Sequence, residues 1–449
     1  MTISHSPLQH DETFASATLR RVSFRILPLI FVMYICNFVD RTNVAMAALQ
    51  MNRDLHFSSS AYGLGAGIFF IGYAICEVPS NIILARVGAS RWMARIMISW
   101  GLIASAMMFV RTPLHFYILR FLLGVAEAGF FPGIIYYLSQ WFPTTARARA
   151  TSWFTIAVPL SAVIGGPLGG ALLGLDGVLR IAGWQWLFVA EGIPAVILGI
   201  VVLVALPDQP SKARWLSDEQ RAWLTDQLLR DQRESSAREG LPTLRALMQR
   251  PLWLLILAYF LFFGFGFVYF FWGPTIIHET LGGSAFETGV VVGIIALLSA
   301  ASQLIVGASS DRTGERALHV AACALIVAVG YTGAALFPTP IARIGGLALV
   351  SIGATAFLAP LWCIPSMLLR GTAAAAGIGL VSAIGSLGGF VGPYATGWLR
   401  DRSGGTNGAF LILACLALVA AVLMVVISMA LRRKETGVRV QSPQFVRGN

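Results

Sequence analysis

Residues 408–431 read GAFLILACLALVAAVLMVVISMAL, a run without one charged side chain, closed at once by Arg432, Arg433 and Lys434. A hydrocarbon core of about 30 Å needs about 20 apolar residues in a helix, so this run can cross a bilayer while its basic end stays in water. Working outward, eleven further runs of the same kind fit the chain, at 26–48, 61–85, 92–110, 114–139, 150–174, 184–206, 252–277, 287–310, 317–337, 341–369 and 373–398. With 57% hydrophobic and 12% charged residues among 449, the chain has lipid for its solvent, which excludes a soluble enzyme or binding module. The fold expected is an all-α membrane protein of twelve transmembrane helices.

Residues 1–24 are polar and lack the short apolar region and small-residue cleavage site of a signal peptide, so the first span is expected to direct its own insertion. A net charge of +11 could suggest nucleic acid, but the position of the charge argues otherwise. With the N-terminus in the cytoplasm and twelve alternating spans, 24 of the 32 Lys and Arg residues fall on the cytoplasmic side. Six fall outside (Arg53, Arg111, Arg180, Arg343, Arg400, Arg402) and two within spans, Arg41 and Arg120. That is a positive-inside bias. It places both termini in the cytoplasm, in a bacterial inner membrane, and needs no nucleic-acid partner. Cys36, Cys76, Cys323, Cys363 and Cys415 all lie in spans without a CxxC pair, and read as packing residues with no metal.

One long polar segment, 207–250, divides the spans six and six, giving expected bundles at 1–206 and 251–449. Within this linker Ser217-Asp218-Glu219, followed by Trp223, Leu224 and Leu228, suggests a short amphipathic helix on the membrane surface. The halves share patterns. Ser161-Ala162-Val163-Ile164-Gly165-Gly166-Pro167 in span 5 is echoed by Ser382-Ala383-Ile384-Gly385 and Gly388-Gly389-Phe390-Val391-Gly392-Pro393 in span 11. Basic turns follow spans 2 and 8, Ala85 to Arg91 and Asp311 to Arg316. A duplicated chain of this kind forms two pseudo-symmetric bundles with a binding site near the bilayer midplane.

The turn from Gly307 to Arg316 resembles the cytoplasmic loop signature of the major facilitator superfamily. Within it, four stretches resemble the anion:cation symporter family, whose members carry tartrate, phthalate, hydroxyphenylacetate and sugar acids. They are Asn37-Phe38-Val39-Asp40-Arg41-Thr42-Asn43, Glu77-Val78-Pro79-Ser80-Asn81, Arg120 through Gly129, and Trp184-Gln185-Trp186 through Glu191-Gly192. The match covers essentially the whole membrane portion. It implies the major facilitator fold and a monomeric, proton-coupled symporter that imports a small organic anion by alternating access, with no cofactor. An exchanger or facilitator without proton coupling is the alternative, because Gly166-Pro167-Leu168-Gly169-Gly170 also resembles a motif of drug antiporters.

A charge at the bilayer centre costs roughly 2.5–3.5 kcal/mol on translocon scales, so each one requires a reason. Away from span ends the charges are Asp40, Arg41, Glu77, Arg120, Glu127 and Glu191, all in the first half. Arg120 and Glu127 share a face of span 4, about 10 Å apart along its axis, and Asp40 and Arg41 are turned by about 100° from one another. Arginine is always charged and grips a carboxylate with a planar fork. A carboxylic acid in apolar surroundings titrates nearer neutrality and can take up or release a proton. The expectation, which the resemblance supports, is that Arg41 binds the substrate carboxylate, Asp40 and Glu127 carry protons, and Arg120 couples Glu127 to binding.

Asp311 and Arg312 are expected to latch a gate. In the matching turn Ala85 stands where the second repeat has Asp311, so Glu77 is expected to supply the missing charge to Arg86 or Arg91 when the cytoplasmic side is closed. The resemblance sets Tyr259 of the aromatic span 7 at a substrate-facing position, with Tyr73, Trp362 and Ser386 as further hydrogen-bonding wall residues. Phe38 and Ser386 replace a tyrosine and an asparagine common in the family, which makes the cavity less polar and leans toward a monocarboxylate or aromatic acid, with tartrate-like diacids open. The six histidines lie near span ends or outside spans, and no Walker loop or dinucleotide fingerprint occurs, so neither an enzyme nor ATP-driven transport is expected.

Overall fold

The computed structural model describes residues 7–155, 157–237, 247–337, 339–369 and 372–441; residues 238–246 of the expected linker lie outside the described residues. Among the described residues the chain is helical, without strands, as a bilayer requires when backbone groups can be satisfied only within the segment itself. The first half comprises α1 (Pro7–Asp54), α2 (Ser59–Val87), α3 (Ala89–Ala106), α4 (Pro113–Glu127), α5 (Phe130–Ser139), α6 (Thr144–Thr155), α7 (Ala157–Leu173) and α8 (Gly183–Ala205). The linker helix α9 (Asp218–Ala237) follows. The second half comprises α10 (Arg250–Leu281), α11 (Ala285–Thr313), α12 (Ala317–Leu336), α13 (Pro340–Ala356), α14 (Leu358–Leu368), α15 (Thr372–Gly385), α16 (Gly388–Ser403) and α17 (Asn407–Gln441). By length and composition, 11 helices of the described residues can cross a membrane, and the shorter apolar helix Leu160–Leu173 occupies the place of the fifth expected span.

Two compact units result. Unit 1 is Met1–His56, Ile71–Glu239 and Ala285–Val290, and unit 2 is Phe57–Phe70, Gly240–Ser284 and Val291–Asn449. In unit 1, α3 packs along α8, and a Cβ on Gly192 would stand 2.8 Å from the Gly101 carbonyl oxygen. In unit 2, α12 packs along α17 and α13, with Gly330 and Gly346 equally close to one another's carbonyls. The third span pairs with the sixth and the ninth with the twelfth, so the duplicated sequence pattern has a duplicated packing.

Among the described residues, several expected spans are not continuous α-helices. Span 114–139 breaks at Ala128–Gly129, span 341–369 at Phe357, and span 373–398 at Ser386–Leu387. The first break has a clear cause. Gly129 has φ 84°, a left-handed conformation that stops α4 directly after Glu127. Ser80 Oγ donates to the freed Ala128 carbonyl at 2.7 Å while accepting from Trp92 Nε1 at 2.9 Å. A Cβ at Gly129 would lie 2.3 Å from Ser80 Oγ. Gly129→Ala is therefore expected to lower the apparent melting temperature in detergent, by strain of about 1–2 kcal/mol plus about 1–3 kcal/mol for an unpaired carbonyl if Ser80 is displaced. Gly177→Ala, at φ 82° with nothing within 4 Å, is the control and should show the strain alone.

The linker helix turns part of its amphipathic face to protein. Leu224 is fully buried and Trp223 meets Phe14 of α1 edge to face at 6.3 Å. Asp231 accepts from the backbone N and Oγ1 of Thr144, at 2.6 and 2.9 Å, capping the start of α6. Trp215 stacks on Trp141 at 5.7 Å.

Candidate functional site

Asn37 and Arg41 are four residues apart, on one face of α1, and both turn to Glu127, the last residue of α4. Arg41 donates to Glu127 Oε1 through Nε at 3.0 Å and Nη2 at 2.6 Å, and Asn37 Nδ2 donates to the same oxygen. Glu127 is 2% exposed. The Arg41 guanidinium also lies 5.3 Å from the Tyr73 ring centroid and 5.5 Å from that of Phe38, within cation–π range.

Asp40 faces another way, as the turn between neighbouring helical residues requires. Its Oδ2 accepts from Trp100 Nε1 of α3 at 2.5 Å and its Oδ1 from Asn43 Nδ2 at 3.0 Å. Glu191 of α8 and Arg120, 1% exposed, are buried close enough to Asp40 to act on its charge. The four charges expected to share a site thus lie close to one another, with Arg41 in contact with Glu127. The sequence showed both charge pairs but not their partners. Asn37, Asn43 and Trp100 were missed, although the spacing of Asn37 to Arg41 and of Asp40 to Asn43 was a readable sign.

The residues expected at the gate are placed as follows. Glu77 acts electrostatically on Arg41 and Tyr73, one helical turn away on α2. Arg86 and Arg91 are exposed, and neither forms an ion pair with Glu77 among the described residues. The carboxylate that the turn lacks at Ala85 comes from Asp208, whose Oδ1 accepts from Ser90 N at 2.9 Å at the start of α3. In the second turn Asp311 is paired with Arg316 at 2.5 Å, and Arg312 is exposed.

In unit 2 the wall candidates adjoin. The Tyr259 and Trp362 rings are 5.1 Å apart, and Tyr259 packs so tightly on Gly385 that a Cβ there would lie 2.1 Å from Cδ1. Ser386 follows at the break, its Oγ donating to the Ala383 carbonyl at 3.1 Å. The hydroxyl is then an acceptor rather than a donor to its surroundings.

Comparison with known proteins places this geometry. The Major Facilitator Superfamily model matches residues 30–376. A putative tartrate transporter of Agrobacterium vitis is 45% identical over 415 residues, 91% of this chain and 91% of that protein. A quinolone resistance transporter of Acinetobacter baumannii is 38% identical over 435 residues, 96% of this chain and 99% of that one. Among solved structures, the inward-open xylose transporter XylE from E. coli superposes with a TM-score of 0.71 at 16% identity, over 90% of this chain and 95% of that one.

Proposed function

Because this chain belongs to the Major Facilitator Superfamily and is a membrane transporter, we propose that it imports a small organic acid anion together with protons. The observation that carries this reading is the Arg41–Glu127 pair. Arg41 is the cation suited to a substrate carboxylate, and its fork is held by an internal carboxylate. A proton on Glu127 removes that competitor and frees Arg41 for the cargo. Loss of the proton returns Arg41 to Glu127 and favours release. Coupling then needs no distant signal, since proton and substrate act on one guanidinium.

Asp40 is the second proton carrier in this reading, balanced by Arg120, and Tyr73 supports the Arg41 guanidinium. Tyr259, Trp362 and Ser386 give an apolar, aromatic wall for the body of the anion. Asp311, Arg312, Arg86 and Arg91 act at the turns, and Glu77 serves as a further acceptor near Arg41. The protein works as a monomer with both termini in the cytoplasm, consistent with its positive-inside bias. Tartrate is the first substrate to test, given the 45% identity to a protein bearing that name.

The test is uptake into proteoliposomes under an imposed pH gradient, acidic outside. Wild type is expected to accumulate tartrate or another organic acid above its equilibrium level, and Asp40→Asn with Glu127→Gln is expected only to equilibrate it. Accumulation by the double variant would remove the proton assignment. Exchange is the second reading, favoured by Gly166-Pro167-Leu168-Gly169-Gly170 and by the quinolone resistance relative. A strict requirement for substrate on the trans side would establish it in place of symport.

A further inference from the structure

Beyond the transport site, the first turns of α1 and the linker enclose a groove of about 700 Å³. Its wall carries Arg20, Arg21 and Arg25 with Phe24 on α1, and Trp215 and Gln220 on the linker. Arg21 and Arg25 are one turn apart, and Arg20 borders the same face. None of the three arginines forms an ion pair among the described residues; Arg21 reaches only the Gln220 side-chain oxygen, at 3.5 Å.

Four acids of the linker are engaged with other groups. Asp208 lies against Lys212 and Ser90 N, Asp218 against Arg221, Asp226 against Arg230, and Asp231 on the start of α6. Among the described residues, the three adjacent guanidiniums of this groove are paired with no carboxylate. Arginine forks match phosphate oxygens, two hydrogen bonds at a time.

The position selects the source of that phosphate. The cluster ends at Arg25, and the first apolar span begins with the next residue, so the groove sits where the hydrocarbon gives way to headgroups. Phe24 is 77% exposed in the middle of the cluster. An aromatic ring there suits the glycerol and upper acyl region of a lipid and offers nothing to a free inorganic anion. We propose that this groove binds the phosphate headgroup of an anionic phospholipid from the leaflet at which α1 enters the membrane. A bound headgroup also ties the linker, through Trp215 and Gln220, to α1.

The experiment uses the full chain, purified in mild detergent, with phosphatidylglycerol and phosphatidylcholine in equal amounts, and reads retained lipid by native mass spectrometry. The test variant is Arg20→Gln with Arg25→Gln, balanced by Asp11→Asn and Glu12→Gln so that the net charge of the segment is unchanged. Wild type is expected to retain one phosphatidylglycerol in preference to phosphatidylcholine, and the balanced variant to lose most of an about thirtyfold preference. Equal retention by both proteins would reduce the cluster to a diffuse field and overturn the site. No preference in wild type would overturn it also. Displacement of the lipid by millimolar inorganic phosphate, with phosphate bound in its place, would overturn the lipid assignment. Organic-acid uptake by the same samples is a separate readout, so failure of the lipid site and failure of the transport reading are distinguishable. If the balanced variant does not purify, Phe24→Ser, which keeps every charge, is expected to weaken phosphatidylglycerol retention; unaltered lipid retention would count against the proposal.

Discussion

Arg41→Ala is expected to abolish organic-acid uptake, with kcat/KM falling about 100-fold or more, the cost of removing one partner from a desolvated charged contact. Arg41→Lys keeps the charge but loses the fork and should recover only a minor part. The variant also strands Glu127 in a site where it is 2% exposed, so lost activity could reflect lost structure. Arg41→Ala with Glu127→Gln separates the two, because it removes the stranded acid as well. The double variant is expected to regain the melting temperature of wild type in detergent and to remain without uptake. Uptake restored by Glu127→Gln would mean that Arg41 serves only to neutralise Glu127 and does not meet the substrate.

Arg120→Met is expected to have the largest effect on stability. The side chain is among the largest that are fully buried, at 1% exposure, and methionine fills similar space without charge. The charge of Asp40 then loses the opposing cation that acts on it. A buried charge that loses an opposing neighbour is costly, which should appear as poor extraction and a lower melting temperature. Adding Asp40→Asn to Arg120→Met removes the unbalanced charge and keeps a side chain that can bond Trp100 or Asn43. A substantial part of the lost stability should return. If the second substitution makes matters worse or changes nothing, Asp40 is not the principal partner of Arg120.

The structure gives physical content to a residue pattern that was only partly legible. The buried charges of the first half were conspicuous because charge in a lipid-spanning segment is costly and therefore rare. Their partners were not. Arg41 and Glu127 are separated by 86 positions and Asp40 and Trp100 by 60, and no spacing rule on one helix reports which neighbour faces another. The break after Glu127 was hidden for the same reason. Gly129 in an apolar span reads as one more small packing residue until Ser80 is seen bonding the Ala128 carbonyl. Asp208 was overlooked because it lies at the start of a polar linker, distant in sequence from the turn that it completes.

The chain alone determined that this is a helical membrane protein, roughly where its apolar helices fall, and that its costly charges are confined to one half. Those properties follow from the transfer of each segment between water and lipid, which depends on local composition. Packing alone decided that Arg41 grips Glu127, that Trp100 bonds Asp40, that the fourth expected span is interrupted after Glu127, and that Trp223 of the linker helix meets Phe14 of α1. Such choices depend on which surfaces of separate helices meet, and the energy of a contact between distant residues exists only once the fold has brought them together.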